Sequence, residues 1–251
     1  MVEGRLHSIE TMGLVDGPGI RTVFFMQGCP LRCAYCHNPD SQTMFSKNRI
    51  TPEEVLKTAK RYKSYYKRSN GGVTFSGGES LIQGEFLLES LKLLKKGGIN
   101  TCLDTSGYGQ EEYYKEILEY TDVVILDIKQ FSHKEYKNLT GKSMNGFYTF
   151  LSYLNDFKGK IWIRHVMVPG FTDNEESMYK LFNNISHLCE KIERIEVLPF
   201  HKMGIDKYEK LGRDYKLKNV PEMDLNKAKK YEEILSLLLE KEKIRVQKSI
   251  I

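Results

Sequence analysis

Six short, nearly continuous apolar runs punctuate the chain: IRTVFFMQ (20–27), GVTFSGG (72–78), NTCLDT (100–105), DVVILDIK (122–129), KIWIRHVMV (160–168) and IEVLPF (195–200). Runs of Val, Ile, Leu and Phe without polar alternation predict strands covered on both faces. Between them the apolar period lengthens to that of a helix. Thr51-Pro52-Glu53-Glu54 reads as a capping box with proline at the first helical position, followed by a stripe of Val55, Ala59, Tyr62 and Tyr66. Leu87, Leu91 and Leu94 form a second stripe. A D-x-x-E cap at Asp173 precedes Met178, Leu181, Phe182, Ile185 and Leu188. Asp224 opens a last helix through Ala228, Tyr231, Leu235 and Leu238, and the terminal KEKIRVQKSII reads either as a short strand or as a frayed tail.

Six strand–helix alternations predict parallel strands joined by right-handed crossovers. Over 251 residues this fits an open doubly wound sheet or an incomplete barrel. No repeat or Pro/Ser-rich linker divides the chain. In both architectures chemistry gathers at the C-terminal ends of the strands. The polar residues obey that rule: a cysteine loop follows the first run, Ser76-Gly77-Gly78-Glu79 ends the second, Asp104-Thr105 the third, and Asp127 with Lys129 the fourth. Arg164 and His165 interrupt the fifth run midway, and His201 follows the sixth.

Composition narrows the class. The net charge of +5, from 38 Lys and Arg against 33 Asp and Glu, is spread along the chain and forms no dense basic stripe, which argues against a nucleic-acid binder. MVEGRLHSIE lacks the apolar core of a signal peptide, and no window approaches the roughly 20 apolar residues of a membrane span. The expectation is a cytoplasmic protein. Five cysteines, three of them clustered, point to a reducing compartment with a metal or cluster site and not to disulfides.

Within QGCPLRCAYCHNPDS, Cys29, Cys33 and Cys36 are spaced C-x3-C-x2-C. A structural zinc site closes with a fourth ligand, which His37 could supply, although adjacent residues rarely both turn onto one metal. An ordinary 4Fe–4S cluster uses four cysteines. Cys102 and Cys189 are distant and read as small buried residues. Three thiolates alone would leave one iron open for a small molecule. Spacing alone leaves an open cluster, zinc and chance clustering all in play.

C-x3-C-x2-C with Tyr35 beside it, followed by a Gly-Gly-Glu strand end, resembles the radical S-adenosylmethionine superfamily. The segments VDGPGIRTVFFMQGCPLRCAYCHNPDS, GGVTFSGGES, NTCLDTSGYG, ILDIKQ, IWIRHVMVPGFTD and LPFHKMG sharpen the likeness to its glycyl-radical-enzyme activases, from Gly4 to about Leu217. The 40 residues between Cys36 and Gly77 contain no cysteine, unlike the longer activases that carry a ferredoxin-like insert there. The resemblance implies an α/β fold, an incomplete (β/α)6 TIM-like barrel of the radical SAM type. It implies one domain over 1–251, with the partial barrel at about 18–217 and a C-terminal helix and tail at 218–251.

The chemistry implied is reductive cleavage of S-adenosylmethionine and hydrogen-atom abstraction from a glycine Cα. By resemblance Cys29, Cys33 and Cys36 hold a 4Fe–4S cluster. Tyr35, Cys36, His37, Gly77, Gly78, Glu79, Asp127, Ile128, Lys129 and His201 lie around S-adenosylmethionine. Asp104, Thr105, Asp127 and a main-chain oxygen near Ile125 hold a monovalent cation, Na+ or K+. Asp16, His37, Asn38 and Arg164 grip the substrate polypeptide. Read without the resemblance, Gly77-Gly78 is an ordinary turn, Asp127–Lys129 an ion pair, and the V-D-G-P-G stretch around Asp16 a tight turn. The implied partners are pyruvate formate-lyase, whose glycine loop is the substrate, and flavodoxin or ferredoxin as electron donor. A monomer is expected, with no nucleic acid and no membrane. The alternatives are a radical enzyme acting on another glycyl-radical protein or a small molecule, and a non-catalytic zinc or iron–sulfur module.

Overall fold

All six apolar runs fold as strands, and two further strands join them. The computed structural model describes residues 2–249. In chain order the strands are β1 (Gly4–Gly13), β2 (Arg21–Met26), β3 (Arg49–Ile50), β4 (Gly72–Gly77), β5 (Asn100–Thr105), β6 (Val123–Asp127), β7 (Lys160–Met167) and β8 (Ile192–Pro199). The helices are α1 (Pro52–Arg61), α2 (Lys63–Ser69), α3 (Gly84–Lys96), α4 (Tyr114–Glu119), α5 (His133–Thr140), α6 (Asn145–Tyr153), α7 (Glu175–Ile185), α8 (Ile205–Lys210) and α9 (Leu225–Ser249). Contacts divide the chain into two compact units. One takes in residues up to Leu31, Asp40–Leu126 and Asn145–Lys160; the other Arg32–Pro39, Asp127–Met144 and the chain from Ile161 onward.

In the first unit the strands run in the order β3-β1-β2-β4-β5-β6. β2, β4, β5 and β6 are parallel, in registers such as Phe24↔Phe75, Thr74↔Cys102 and Asp104↔Ile125. Val23, Phe24, Val73, Phe75, Leu103, Val124 and Ile125 are all fully buried. Burying each such side chain contributes about 1.5–3 kcal/mol, which is what holds the parallel strands under their helices. β1 pairs antiparallel with β2 and with β3. β1 is mostly half-buried or exposed, with Ser8, Ile9, Glu10 and Met12 on the surface, so the pattern of a doubly covered strand does not reveal it. Cys102 is fully buried, as expected of a small apolar residue.

The Thr51 capping box forms: Glu54 N–H donates to Thr51 Oγ1 at 3.3 Å, and Thr51 N–H to Glu54 Oε2 at 2.9 Å. The stripe through Tyr66 is not one helix, because α1 ends at Arg61 with Tyr62 as its cap, and α2 carries Tyr66 into the core. Arg21 is fully buried, and its guanidinium is held by hydroxyl, carbonyl and amide oxygens. Its guanidinium donates to Thr74 Oγ1 (2.6 Å), the Val73 carbonyl (2.6 Å), the Pro18 carbonyl (3.0 Å) and Asn100 Oδ1 (3.1 Å).

In the second unit β7 and β8 are parallel, with Arg164 opposite Glu196. The cap of α7 is Asn174, whose Oδ1 accepts the Ser177 N–H at 2.9 Å. Asp173, the expected cap, instead accepts the Gly170 N–H at 2.7 Å and pairs with Lys227 at 2.6 Å. Asp224 does open α9, accepting the Lys227 N–H at 2.7 Å. That helix continues to Ser249, where a short strand or frayed tail was expected, with i,i+3 pairs Glu240–Lys243 and Glu242–Arg245. Ile250 and Ile251 lie outside the described residues. Cys189 is buried.

Candidate functional site

In the first unit the glycines at the end of β4 meet the entrance of the cysteine loop. Gly77 has φ +104°, and a Cβ there would stand 2.3 Å from the Met26 nitrogen. A Cβ on Gly78 would stand 2.2 Å from the Gly28 carbonyl oxygen. Only glycine lets the two backbones touch in this way. Gly78 N–H then donates to the Met26 carbonyl and Glu79 N–H to the Gly28 carbonyl, both at 2.8 Å. Gly28 and Cys29 in turn donate to the Ser41 and Gln42 carbonyls at 2.8 and 3.4 Å. Gly77-Gly78 therefore fixes the residue before Cys29.

Glu79 is buried and fully satisfied. Oε1 accepts the Thr105 hydroxyl at 2.6 Å and the Leu81 N–H at 3.1 Å; Oε2 accepts the Ser106 hydroxyl at 2.6 Å and its N–H at 2.8 Å. Burial pushes this carboxyl above its ordinary value, and the Ser106 and Thr105 hydroxyls work against that shift. Asp104 accepts the Ser76 hydroxyl at 2.7 Å and faces Ile125 across β5 and β6. The turn holding Asp16 is tied back through the Asp16 carbonyl, which accepts the Thr74 hydroxyl at 2.7 Å.

In the second unit Lys129 and Asp127 pair at 2.6 Å, both largely buried. Burial alone would lower the Lys129 ammonium, but Asp127, Tyr35 and Cys33 hold it well above its ordinary value. Lys129 Nζ lies 5.9 Å from the centre of the Tyr35 ring. The other Asp127 oxygen, Oδ1, is buried and has no hydrogen-bond partner. Among the described residues the same holds for the Tyr35 hydroxyl and for His165 Nε2. His165 Nδ1 lies 2.7 Å from the Ile128 carbonyl. A carbonyl only accepts, so Nδ1 carries the proton and Nε2 presents a lone pair. Burial pushes this imidazole down to about 4. Ile128 N–H donates to the Arg164 carbonyl at 2.8 Å, so the Asp127–Lys129 stretch is held from both sides of Ile128.

Cys33 is buried, and burial pushes its thiol up to about 11 while Lys129 works to lower it. Cys36 N–H donates to the Cys33 carbonyl at 3.1 Å, closing a turn between them. Arg32 and Ala34 donate to the Thr140 and Leu139 carbonyls, tying the loop to the end of α5. His37 stacks on His201 with ring centres 4.0 Å apart, and its Nε2 is 3.0 Å from the His201 carbonyl. Burial lowers the His37 imidazole, and that contact opposes the shift. Asn38 accepts from Lys207 at 2.7 Å. Arg164 pairs with Glu196 through Nε and Nη2, each at 3.0 Å.

None of the three loop cysteines is joined in a disulfide. Among the described residues no three His, Cys, Asp or Glu side chains are gathered as a single-ion site. A single zinc ion draws every sulfur to about 2.3 Å from one point. A 4Fe–4S cluster takes one sulfur per iron and needs no such convergence. Soft thiol donors outside any disulfide, a cation acting on Cys33 and orphaned polar atoms around Lys129 fit a cluster and a polar nucleoside cofactor. The spacing did not reveal the contributions of His165, Ser106 and Glu196. Only the polar interruption of an apolar strand marked His165.

The Radical SAM superfamily profile matches residues 23–182. The chain is 55% identical over 240 residues to the pyruvate formate-lyase-activating enzyme of Clostridium pasteurianum, covering 96% of this chain and 100% of that protein. It is 42% identical to the enzyme of the same name from Staphylococcus epidermidis, over 89% of this chain and 92% of that one. Among solved structures, a radical SAM methyltransferase from Sphaerobacter thermophilus matches with a TM-score of 0.60 at 13% identity, covering 86% of this chain and 64% of that one, a likeness of fold alone. The chain belongs to the Radical SAM superfamily and, within it, to the family of pyruvate formate-lyase-activating enzymes. With membership come the α/β fold of an incomplete (β/α)6 barrel and the use of a 4Fe–4S cluster and S-adenosylmethionine. Among the described residues no helix is long and apolar enough to cross a membrane.

Proposed function

We propose that this chain activates a pyruvate formate-lyase by installing a glycyl radical on it. What carries the reading is the 55% identity over 96% of the chain to an enzyme of that name, with Cys29, Cys33 and Cys36 outside any disulfide. When bound, the cluster and S-adenosylmethionine supply a 5′-deoxyadenosyl radical that removes one hydrogen from a glycine Cα.

The chain's own residues then bind, orient and exclude water. Cys29, Cys33 and Cys36 hold the cluster and leave one iron without a protein ligand. Gly77, Gly78 and Glu79 fix the loop before Cys29 and present a strand end to the methionine moiety. Tyr35, Cys36 and His37 line the adenine. Asp127, Ile128, Lys129 and His201 meet the ribose and neighbouring polar atoms; the unpaired Asp127 Oδ1 is an acceptor ready for that role. Asp104, Thr105, Asp127 and the Ile125 carbonyl hold Na+ or K+ as hard oxygen donors. Asp16, His37, Asn38 and Arg164 grip the substrate peptide. Flavodoxin or ferredoxin as donor, a cytoplasmic monomer, and action of residues 1–251 as one domain belong to the same proposal.

The test is anaerobic incubation with reductant, S-adenosylmethionine and pyruvate formate-lyase, read by electron paramagnetic resonance. A glycyl radical signal is expected, and Cys33→Ala should abolish both cluster and signal. Full activity in Cys33→Ala would overturn the site; cofactor cleavage without the protein substrate would favour a small-molecule enzyme.

A further inference from the structure

Residues 41–49 form a platform against the entrance to the cysteine loop. Gly28 N–H donates to the Ser41 carbonyl at 2.8 Å, and Gln27 Nε2 to the Thr43 carbonyl at 3.0 Å. The other end is tied to β1: Leu6 N–H donates to the Asn48 carbonyl at 3.0 Å, and Ser46 Oγ to the Leu6 carbonyl at 2.7 Å. Held at both ends, the segment still leaves Met44 and Phe45 48% and 66% exposed. The Met44 sulfur and Arg5 Nη2 stand 3.0 and 3.8 Å from where a Cβ on Gly28 would lie, one residue before Cys29.

The charge beside these apolar side chains is of one sign. Residues 41–49 hold Lys47 and Arg49, both exposed, and no carboxylate. Asp40, just before them, pairs with His7 at 3.0 Å. Arg5 stands directly opposite Arg49 in the β1–β3 register, so the two side chains leave the ribbon on one face. Like charges in that position are destabilising unless something answers them. Among the described residues Arg5 Nε is buried with no hydrogen-bond partner. Burial and, after it, the charge of Arg49 both work against the protonated guanidinium.

We propose that this patch docks the electron donor, a protein whose acidic rim meets Arg5, Lys47 and Arg49 while its redox edge lies over Met44 and Phe45. The proposal rests on the assignment of Cys29 as a cluster ligand. Exposed apolar side chains beside cations have the anatomy of a small transient interface, an apolar centre with a charged rim. A carboxylate arriving at Arg5 and Arg49 answers the like-charge pair and the unpaired Nε together. Complementary charge also speeds encounter, which suits a donor that must come and go. One electron leaves the donor's reduced group for the cluster, and no bond is made or broken.

Flavodoxin, an acidic flavoprotein, is the probe. Calorimetry with its oxidised form reads binding without turnover, and anaerobic stopped flow with its photoreduced form reads cluster reduction. In wild type both should weaken as salt rises, because the contact is between exposed charges. Lys47→Glu with Arg49→Glu should weaken binding and slow reduction about tenfold at low salt, and should flatten the salt dependence. Arg5→Gln should act in the same direction, by about threefold. Photoreduced deazaflavin, a small reductant that needs no docking, should reduce the double variant at the wild-type rate, with iron and sulfide content unchanged. Unchanged flavodoxin binding and reduction in the double variant overturns the proposal. Equal slowing with deazaflavin also overturns it, because the fault then lies in the cluster. So does a lower glycyl-radical yield with deazaflavin as reductant, which assigns the patch to the protein substrate. A loaded wild-type chain that binds no flavodoxin overturns the proposal and leaves the cluster assignment intact. A wild-type chain that binds no cluster brings down both.

Discussion

Two carboxylates at strand ends, the buried Glu79 after β4 and the half-buried Asp127 at the end of β6, read alike in the sequence and differ in their surroundings. Glu79 accepts four hydrogen bonds, from Thr105, Leu81 and twice from Ser106. Asp127 has one oxygen on Lys129 and the other buried with no partner. A carboxylate whose lone pairs are all answered is a fastener. One left half answered, beside a cation and other orphaned polar atoms, is prepared for something that is not part of the chain. Glu79 thus holds the strand end and the Thr105–Ser106 turn in place, whereas the half-answered Asp127 fits the proposed role of a group that meets the cofactor.

The largest effect expected is on Glu79→Ala. It strands two hydroxyls and two backbone N–H groups, and should lower stability by about 3–5 kcal/mol in urea unfolding of the anaerobic protein. A loss below 1 kcal/mol would remove Glu79 from the role of fastener. Next comes acid. His165 has an ordinary value of 6.5 in the unfolded chain and is pushed down to about 4 by burial in the folded one. Between those values the unfolded chain binds a proton that the folded chain does not. Stability is therefore intact above pH 6.5 and falls as pH drops toward 4, by about 3 kcal/mol in all. His165→Asn should flatten that stretch of the stability–pH curve. A slope surviving in the variant would assign the titration elsewhere.

Asp127→Asn sharpens the comparison from the binding side. Titration calorimetry with S-adenosylmethionine should show affinity about tenfold weaker, roughly 1.4 kcal/mol. Glu79→Gln should lose more stability than Asp127→Asn and less affinity. The reverse order would erase the distinction between the two carboxylates. The smallest effect belongs to Thr51→Ala, which opens an exposed capping box of the same hydrogen-bond logic as Glu79. About 1 kcal/mol in thermal or urea unfolding is expected, because water replaces the lost partners there.

The doubly covered strands were readable because their apolar runs are local and uninterrupted, and all six fold as expected. β1 escaped notice because it is mostly half-buried or exposed and carries no continuous apolar run, and Asp173 was taken for a cap because Asp and Asn at neighbouring positions serve equally well until one is engaged by Lys227. The helix through Val55 and Tyr66 was read as one because a break at Tyr62 leaves the apolar period intact. At the site, the cysteine spacing and the Gly-Gly-Glu strand end carried the family. The glycines themselves turned out to meet Met26 and Gly28, a requirement that no periodicity announces.

By itself the sequence determined what local pattern can encode: strands from apolar runs, caps from short polar motifs, and three soft ligands from their spacing on one loop. Only the tertiary structure decided which polar atoms are answered and which are left waiting. Glu79 finds Ser106 27 positions away, and His165 finds the Ile128 carbonyl 37 positions away. Periodicity and spacing are properties of neighbours along the chain. Hydrogen-bond satisfaction is settled among groups that meet only when the chain has folded.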